Sequence, residues 1–519
     1  MADPIHITTA IFYCNGTPHV GSAYEALAAD VFARHQRRKL GADRVSFLSG
    51  TDEHGDKIRR AAAAEGLAPK AYTDKMSALF REAWQGLNVS VDYFVRTTDP
   101  EHEQFVQQML LESKRRGNID LRDYEGLYCV GCERFYTEKE LIDGQRCPTH
   151  NTQVELISES NYFLKIDQYR EQVRRHILDH PDFIRPERYR NEALNMLAEP
   201  ISDLCISRPK SRLEWGIELP FDDRYVTYVW YDAFWAYVSE PARRLGFDRF
   251  KRDIWPHTHH FIGKDILKTH VVYWPAMLLA AGFGADQLFK HLNVHGWLNF
   301  GGARMSKSSG NVRDPVSYER AFGPDVLRYF VMRETVYGLD GDFSEERLIQ
   351  RYNADLANDL GNLVSRVLSM AQRYFGGEVT AEPMTIRGAA EEPLHTGFTE
   401  MAREVRDLTE ELQFNRALER LWMRLDVANK YIVETSPFTL AKDPAQKNRV
   451  AEILANLLES LRVVADVLEP FMPVTARRIA EMLNVDDELL RRPFGEGLKP
   501  GHRVKPPVAL FPRIERTGA

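Results

Sequence analysis

Ile5-His6-Ile7-Thr8-Thr9-Ala10-Ile11, Pro18-His19-Val20-Gly21-Ser22 and Val45-Ser46-Phe47-Leu48 are the segments whose order decides the fold. The first is rich in β-branched residues and reads as extended; Leu27 and Val31 carry a helical pattern between the second and third; Val45, Phe47 and Leu48 read as a second strand. Strand, helix, strand with this spacing is a β-α-β unit, which builds a parallel sheet. Ligands of such sheets bind beyond the carboxyl ends of the strands. Both loops at that edge, Tyr13 to Gly21 and Gly50 to Gly55, are polar and glycine-containing, so the first candidate site lies there.

Working outward, His19-Val20-Gly21-Ser22 opens the first helix, where unpaired backbone N–H groups face an anion and Gly21 allows close approach, as a nucleotide phosphate requires. Taken alone, the same residues also describe an ordinary turn with a solvated histidine. Gly301-Gly302-Ala303-Arg304-Met305-Ser306-Lys307-Ser308-Ser309-Gly310-Asn311 is a loop of small residues carrying two cations. Closed over a triphosphate, they would stabilise the charge that develops as pyrophosphate leaves. Alone, it reads equally as a solvated linker or a phosphorylation site.

A third segment, Cys129-x2-Cys132-x14-Cys147-x2-His150, has two close pairs joined by a short loop. Three thiolates and an imidazole fill the four corners of a tetrahedron, so one structural zinc per chain is expected, with no open position. An odd count of five cysteines also fits poorly with a disulfide framework.

The remainder of the chain sets limits. At 519 residues it exceeds one hydrophobic core, and 44% hydrophobic with 28% charged residues is a globular composition. A net charge of -7 excludes nucleic-acid binding by bulk attraction and leaves only a local patch. The N-terminal residues lack the basic and apolar runs of a signal peptide and no stretch is long enough to span a bilayer, so no membrane association and a cytoplasmic location are expected. After Asp342 the pattern turns helical: Leu356, Leu360, Leu363, Val364, Val367 and Leu368 form one stripe, and Val450, Ile453, Leu454, Leu457, Leu458 and Leu461 another. The predicted fold is α/β, a Rossmann-type parallel sheet split by an insertion and followed by a helical bundle. Its expected parts are residues 1–115, sheet domain, first half; 116–225, the insertion with its knuckle at 129–150; 226–300, second half; 301–350, the loop and a linking region; and 351–519, the bundle with its tail. The Gly-, Pro- and Arg/Lys-rich tail from Phe494 to Arg516 reads as either packed back or loosely ordered.

His19-Val20-Gly21-Ser22 and Arg304-Met305-Ser306-Lys307-Ser308 together resemble the two signature motifs of class I aminoacyl-tRNA synthetases. Thr9 to Gly16, Gly50-Thr51-Asp52-Glu53-His54-Gly55, Tyr228-Val229-Trp230-Tyr231-Asp232-Ala233 and Gly263-Lys264-Asp265-Ile266 resemble the methionine-specific family, and the likeness runs through nearly the whole chain. Serine stands at Ser22 where the family usually has a second histidine, and arginine at Arg304 where lysine is usual. Serine can still donate to phosphate but carries no imidazolium charge, and arginine keeps the charge in fork geometry.

The resemblance implies an ATP- and Mg2+-dependent ligase that forms methionyl-adenylate and loads tRNA(Met). It implies catalytic roles for His19, Ser22, Lys307, Arg304 and Arg208, and an ATP site of His19, Gly21, Ser22, Gly263, Asp265, His295, Gly296 and Lys307. It also implies a pocket for L-methionine made by Ile11, Tyr13, Trp230, Ala233, Tyr237 and His270, with Asp52 facing the ammonium. Aromatic walls suit a thioether, and a desolvated ammonium needs an anion. Thr269 stands where relatives can have an aromatic. In the bundle Asn362 and Arg366, four apart and hence on one helix face, match an anticodon-reading pair, and Phe438 after Ser436-Pro437 stands where the family stacks a tryptophan. Trp422, on an apolar face with Leu418, Leu421 and Leu425, reads as core. The knuckle is implied to help seat the tRNA acceptor end, and a monomer is expected.

Rival readings remain at this point: a class I synthetase for another amino acid, a non-catalytic tRNA-binding paralogue suggested by Ser22 and Phe438, and a zinc-binding regulatory module. The short insertion speaks against large aliphatic-specific relatives, which insert a long editing domain, and retention of His19, Asp52 and Lys307 speaks against the paralogue.

Overall fold

The computed structural model describes residues 3–129, 134–136, 138–148, 151–304, 313–383 and 391–514. The loop with Lys307, and the knuckle residues Cys132 and His150, lie outside the described residues, as does the side chain of Arg304. The chain divides into two compact units: Met1–Ala29, Leu40–Gln85 and Ser90–Gly296 form the first; Asp30–Lys39, Gly86–Val89 and Trp297–Ala519 form the second.

In the first unit, β1 (Ile5–Thr9), β2 (Phe12–Tyr13), β3 (Val45–Asp52) and β4 (Tyr93–Arg96) join strands Thr258–Gly263, His291–His295 and Ile184–Arg185 in a seven-stranded sheet whose pairings are all parallel. β1 lies between β3 and Thr258–Gly263, so residues far apart in sequence share one carboxyl edge. The helix α1 (Val20–Leu40) follows from the alanine-rich run Ala23 to Ala29, a strong helix former with little bulk, which lets the sheet close over it. Ala23, Ala26, Leu27, Ala28 and Ala29 are fully buried.

The segment expected as an insertion is antiparallel: Ile119–Cys129 pairs with Glu155–Leu164 and Arg134–Tyr136, and Glu155–Leu164 with Leu204–Cys205. It also returns Ile184–Arg185 to the edge of the parallel sheet. A second small antiparallel sheet, Ser207–Pro209 with Asp222–Thr227 and Glu218–Leu219, carries Arg208 opposite Val226.

In the second unit both predicted apolar stripes are buried. Helix Lys447–Leu468 is enclosed along almost its whole length, as expected of a helix apolar on more than one face. As far as residue 514 the tail packs back, which resolves the alternative left open by its composition. Buried Glu459 accepts N–H bonds from Gly495, Gly497 and Leu498 at 2.8, 3.1 and 3.0 Å, while buried Arg462 pairs with Glu459 and donates to the Leu490 and Pro493 carbonyls. Further along, Arg478 holds the Ala509 and Leu510 carbonyls and Asn353 exchanges two hydrogen bonds with Ile514. Among the described residues no helix is long and apolar enough to cross a membrane.

Candidate functional site

At the carboxyl edge of the parallel sheet Tyr13 stands opposite Asp52, the end of β3, because β1 breaks at Ala10 and the chain resumes pairing as β2. The Cys14 N–H donates to the Asp52 carbonyl at 2.9 Å, closing that edge. Gly50 permits the break: a Cβ there would meet the Val95 carbonyl oxygen at 2.2 Å and Ile11 Cγ2 at 3.2 Å. Helix Val229–Leu245 brings Trp230, Ala233 and Tyr237, spaced three and four apart and so on one face. The Tyr237 hydroxyl lies 2.9 Å from His270 Nε2, and His270 Nδ1 lies 2.9 Å from the Ile266 carbonyl. An Nδ1 facing a carbonyl carries the proton, so Nε2 accepts from tyrosine in a neutral ring. Burial lowers the His270 pKa to about 4, in keeping with that form. Burial raises the Tyr237 pKa well above its ordinary value, assisted by the charges of Glu25 and Asp52 and opposed by a hydrogen bond with the Ile11 backbone. Ile11, Asp52, Tyr237 and His270 thus converge, with Phe234 edge-on to His270 at 4.9 Å.

At the nucleotide side, His19 and Ser22 cap α1 reciprocally. Ser22 N–H donates to His19 Nδ1 at 3.2 Å, and His19 N–H donates to Ser22 Oγ at 2.9 Å. The Ser22 hydroxyl donates to the His19 carbonyl at 2.7 Å. An imidazole that accepts at Nδ1 holds its proton on Nε2, so the cap presets His19 as a donor.

Gly263 closes its strand against Asp265 and His295: a Cβ would meet Asp265 Oδ1 at 2.7 Å and His295 Cε1 at 3.6 Å. His295 lies 3.0 Å from Glu25 Oε2 through Nε2 and 2.7 Å from the Gly296 carbonyl through Nδ1, while Glu25 Oε1 accepts the Ala10 N–H at 2.8 Å. Burial acts against the imidazolium, yet Glu25 and Gly296 prevail and the His295 pKa is raised. Glu25 therefore ties the strand break, α1 and the His295-Gly296 turn together.

Arg208 is buried with its guanidinium 5.2 Å from the ring of Tyr128 and 4.8 Å from that of Tyr228, donating to the Ser207 carbonyl at 2.7 Å. Burial disfavours its charge, but Cys205 and the two tyrosines outweigh that and raise its pKa. It opens onto a cleft of about 230 Å3 lined also by Arg59, Arg60 and Arg212. Asp56 pairs with two of these, Arg59 and Arg60.

Of the zinc ligands expected from spacing, Cys129 and Cys147 are both fully buried in one small cluster with Tyr136, Leu141 and Val154. One cysteine from each close pair thus lies in the same cluster, and thiols are donors that zinc accepts. Among the described residues no group of three or more metal-ligating side chains occurs. In the second unit Asn362 and Arg366 are exposed one turn apart on helix Asn362–Phe375, just after a π-helical segment, Tyr352–Gly361. Phe438 is exposed, whereas Trp422 is buried, its indole N–H donating to the Asp355 carbonyl at 3.3 Å.

Sequence reasoning gave no role to Glu25, Glu53, His54, Arg96 or Asp232. Glu25 and Asp232 had a signal: each is a lone carboxylate inside an apolar helical run, Ala23 to Ala29 and Val229 to Val238. A charge there needs a buried partner.

The family model described as "tRNA synthetases class I (M)" matches residues 5–157 and 139–368, and that described as "Anticodon binding domain of methionyl tRNA ligase" matches 383–518. A methionine-tRNA ligase of Caldanaerobacter subterraneus is 41% identical over 99% of this chain and 80% of its own length. One of Streptomyces coelicolor is 38% identical over 100% and 98%. Among solved structures, Mycobacterium tuberculosis methionyl-tRNA synthetase bound by methionyl-adenylate aligns with a TM-score of 0.90 at 37% identity, covering 98% of this chain and 100% of that one. Both halves of the molecule, the sheet edge with its paired loops and the helical unit, are accounted for by these matches, and the chain belongs to the methionyl-tRNA synthetase family of class I aminoacyl-tRNA ligases.

Proposed function

We propose that methionine is held between Asp52 and the face made by Ile11, Tyr13, Trp230, Ala233, Tyr237 and His270, and that ATP lies across His19, Gly21, Gly263, Asp265, His295 and Gly296. The observation that carries this reading is the convergence of Ile11, Asp52, Tyr237 and His270 at the sheet edge where the strands end. The enzyme's reaction is activation of methionine with ATP followed by transfer to tRNA. In the first step a carboxylate oxygen of methionine bonds to the α-phosphorus, the bond to the β-phosphate breaks and pyrophosphate leaves. In the second the terminal ribose hydroxyl takes the acyl group and AMP leaves.

Neither step needs a side-chain nucleophile, so the work of the chain is positioning and charge stabilisation. His19 donates from Nε2 to phosphate, with Ser22 acting through the cap rather than on the ligand. Lys307 and Arg304 neutralise the triphosphate, and Arg208 faces the reacting carboxylate and phosphate. Mg2+ bound with ATP would supply further neutralisation of the triphosphate charge. Cys129, Cys132, Cys147 and His150 would hold one zinc, which would brace the insertion. The arginine-lined cleft suits the backbone of a single-stranded tRNA end, and Asn362, Arg366 and Phe438 suit splayed anticodon bases. We place the enzyme in the cytoplasm, as a monomer.

The test is amino-acid-dependent ATP-pyrophosphate exchange with methionine, leucine, isoleucine, valine and cysteine. Exchange with methionine alone, reduced about 100- to 1,000-fold in Lys307→Ala, supports the assignment. Exchange with another amino acid overturns the pocket, and an undiminished Lys307→Ala overturns the phosphate site. Metal analysis of the purified chain, with one zinc lost in Cys147→Ser, tests the knuckle.

A further inference from the structure

The segment that carries Asp52 is clamped on two sides. On one, the buried Glu53 carboxylate receives Arg96 Nε and Nη2 at 2.7 and 2.8 Å and the hydroxyls of Thr51 and Thr98 at 2.7 and 2.6 Å, which fixes the segment to the end of β4. On the other, His54 Nδ1 lies 2.7 Å from Asp232 Oδ2, with the two side chains 3% and 0% exposed. Trp215 spans the same turn, its indole N–H donating to the Glu53 carbonyl at 2.6 Å while its own carbonyl accepts the Gly55 N–H at 3.2 Å.

The Glu53 clamp relates Asp52 to the sheet. The His54 contact relates it to something else: Asp232 sits in the first turn of helix Val229–Leu245, two residues after Trp230 and one before Ala233. A helix rises about 1.5 Å per residue, so any slip of this helix along its axis displaces Trp230, Ala233 and Tyr237 together. A buried carboxylate is costly unless it is paired, so Asp232 is kept for what it holds.

We infer that His54 and Asp232 are positioning residues for methionine recognition: their contact sets the distance between the carboxylate that receives the ammonium and the helix face that receives the side chain. This deepens, and rests on, the assignment of Asp52 and that helix face to the methionine pocket. On this reading the pair acts through Asp52 and the helix, not on ATP or the reacting atoms. It acts as a spacer, and a spacer of fixed length discriminates by the length of the amino acid.

The experiment is pyrophosphate exchange with the full chain, reading KM for methionine, KM for ATP and the methionine-to-leucine ratio of kcat/KM. A displacement of about 1 Å costs up to about 100-fold, so His54→Ala is expected to raise the methionine KM by about 10- to 100-fold and to lower the selectivity ratio. The ATP KM is expected to stay within about twofold, because the displaced distance is not one that ATP spans. His54→Asn, whose amide can donate from near the Nδ1 position, is expected to recover most of the loss. An unchanged methionine KM in His54→Ala overturns the inference. So does an equal rise for both substrates, or failure of the asparagine to rescue, since either marks simple loss of structure. Should His54→Ala not fold by circular dichroism, Asp232→Asn, which keeps the shape and weakens the contact, takes its place: a raised methionine KM with a steady ATP KM supports the spacer, and an unchanged methionine KM or an equal rise for both substrates overturns it. Asp52→Ala separates the spacer from the pocket it serves: if it leaves the methionine KM unchanged, the pocket assignment itself has failed. If it raises the KM while the His54 and Asp232 variants do not, only the spacer has failed.

Discussion

The two units bury polar groups by opposite means. The first holds neutral imidazoles: His6, His102, His259, His260 and His270 are buried, and burial pushes each of their pKa values down, His6 and His270 to about 4 and His102 to about 3. Its paired charges gather where the strands end, in Glu53 with Arg96 and Glu25 with His295. The second unit instead buries guanidinium-carboxylate pairs in its core, Arg328 with Asp30 and Arg462 with Glu459. In the first unit the charged pairs fix the strand ends to one another, whereas a bundle with an irregular tail needs strong anchors for carbonyls and N–H groups that no helix satisfies.

Acid is the sharpest way to break this comparison. A histidine whose folded pKa lies below about 6.5 leaves the unfolded chain with more bound protons, so stability is full above that pH and falls as pH drops from about 6.5 towards 4. Each such histidine contributes a slope of about 1.4 kcal/mol per pH unit, and five together make the first unit steeply acid-labile. Methionine-dependent exchange and the near-ultraviolet signal of Trp235 and Trp274 are expected to collapse before far-ultraviolet helicity does. Simultaneous loss of both signals would erase the distinction between the units.

The next effect lies in the second unit. Arg462→Ala strands Glu459 without its cation and is expected to cost about 3–5 kcal/mol. Denaturant unfolding measures the loss, and limited proteolysis is expected to cut the tail between 494 and 514 first. Gly497→Ala probes the same anchor more gently: its Cβ would meet Arg462 Nε at 2.0 Å, and an overpacking cost of about 1–3 kcal/mol is expected in the same assay. A neutral Gly497→Ala would mean that the tail yields rather than the anchor.

The smallest effect separates the units functionally. Arg366→Ala is expected to weaken aminoacylation of tRNA(Met) by about 1–3 kcal/mol in kcat/KM while leaving pyrophosphate exchange unchanged, and Phe438→Ala to do the same through lost stacking. A fall in exchange would place these residues in structure rather than in recognition.

Much of the molecule was legible because it is written in local patterns. The β-α-β start, the apolar stripes of the bundle and the burial of Trp422 follow from periodicity, and periodicity survives folding unchanged. Ser22 shows what residue type alone leaves out: three residues' separation at a helix start ties its hydroxyl to His19 in a reciprocal cap. Phe494 to Arg516 showed a composition with two outcomes, and only the bonds that buried Glu459 and Arg462 make to the tail decided for packing.

The sequence by itself determined the fold class and the family, because both depend on short-range order of residue types. Tertiary structure alone decided that Glu25 reaches His295 and that His54 reaches Asp232, pairs separated by 270 and 178 positions. Such contacts leave no periodic trace. They exist because parallel strands bring distant segments to one edge, where a buried charge must find whatever partner the topology delivers.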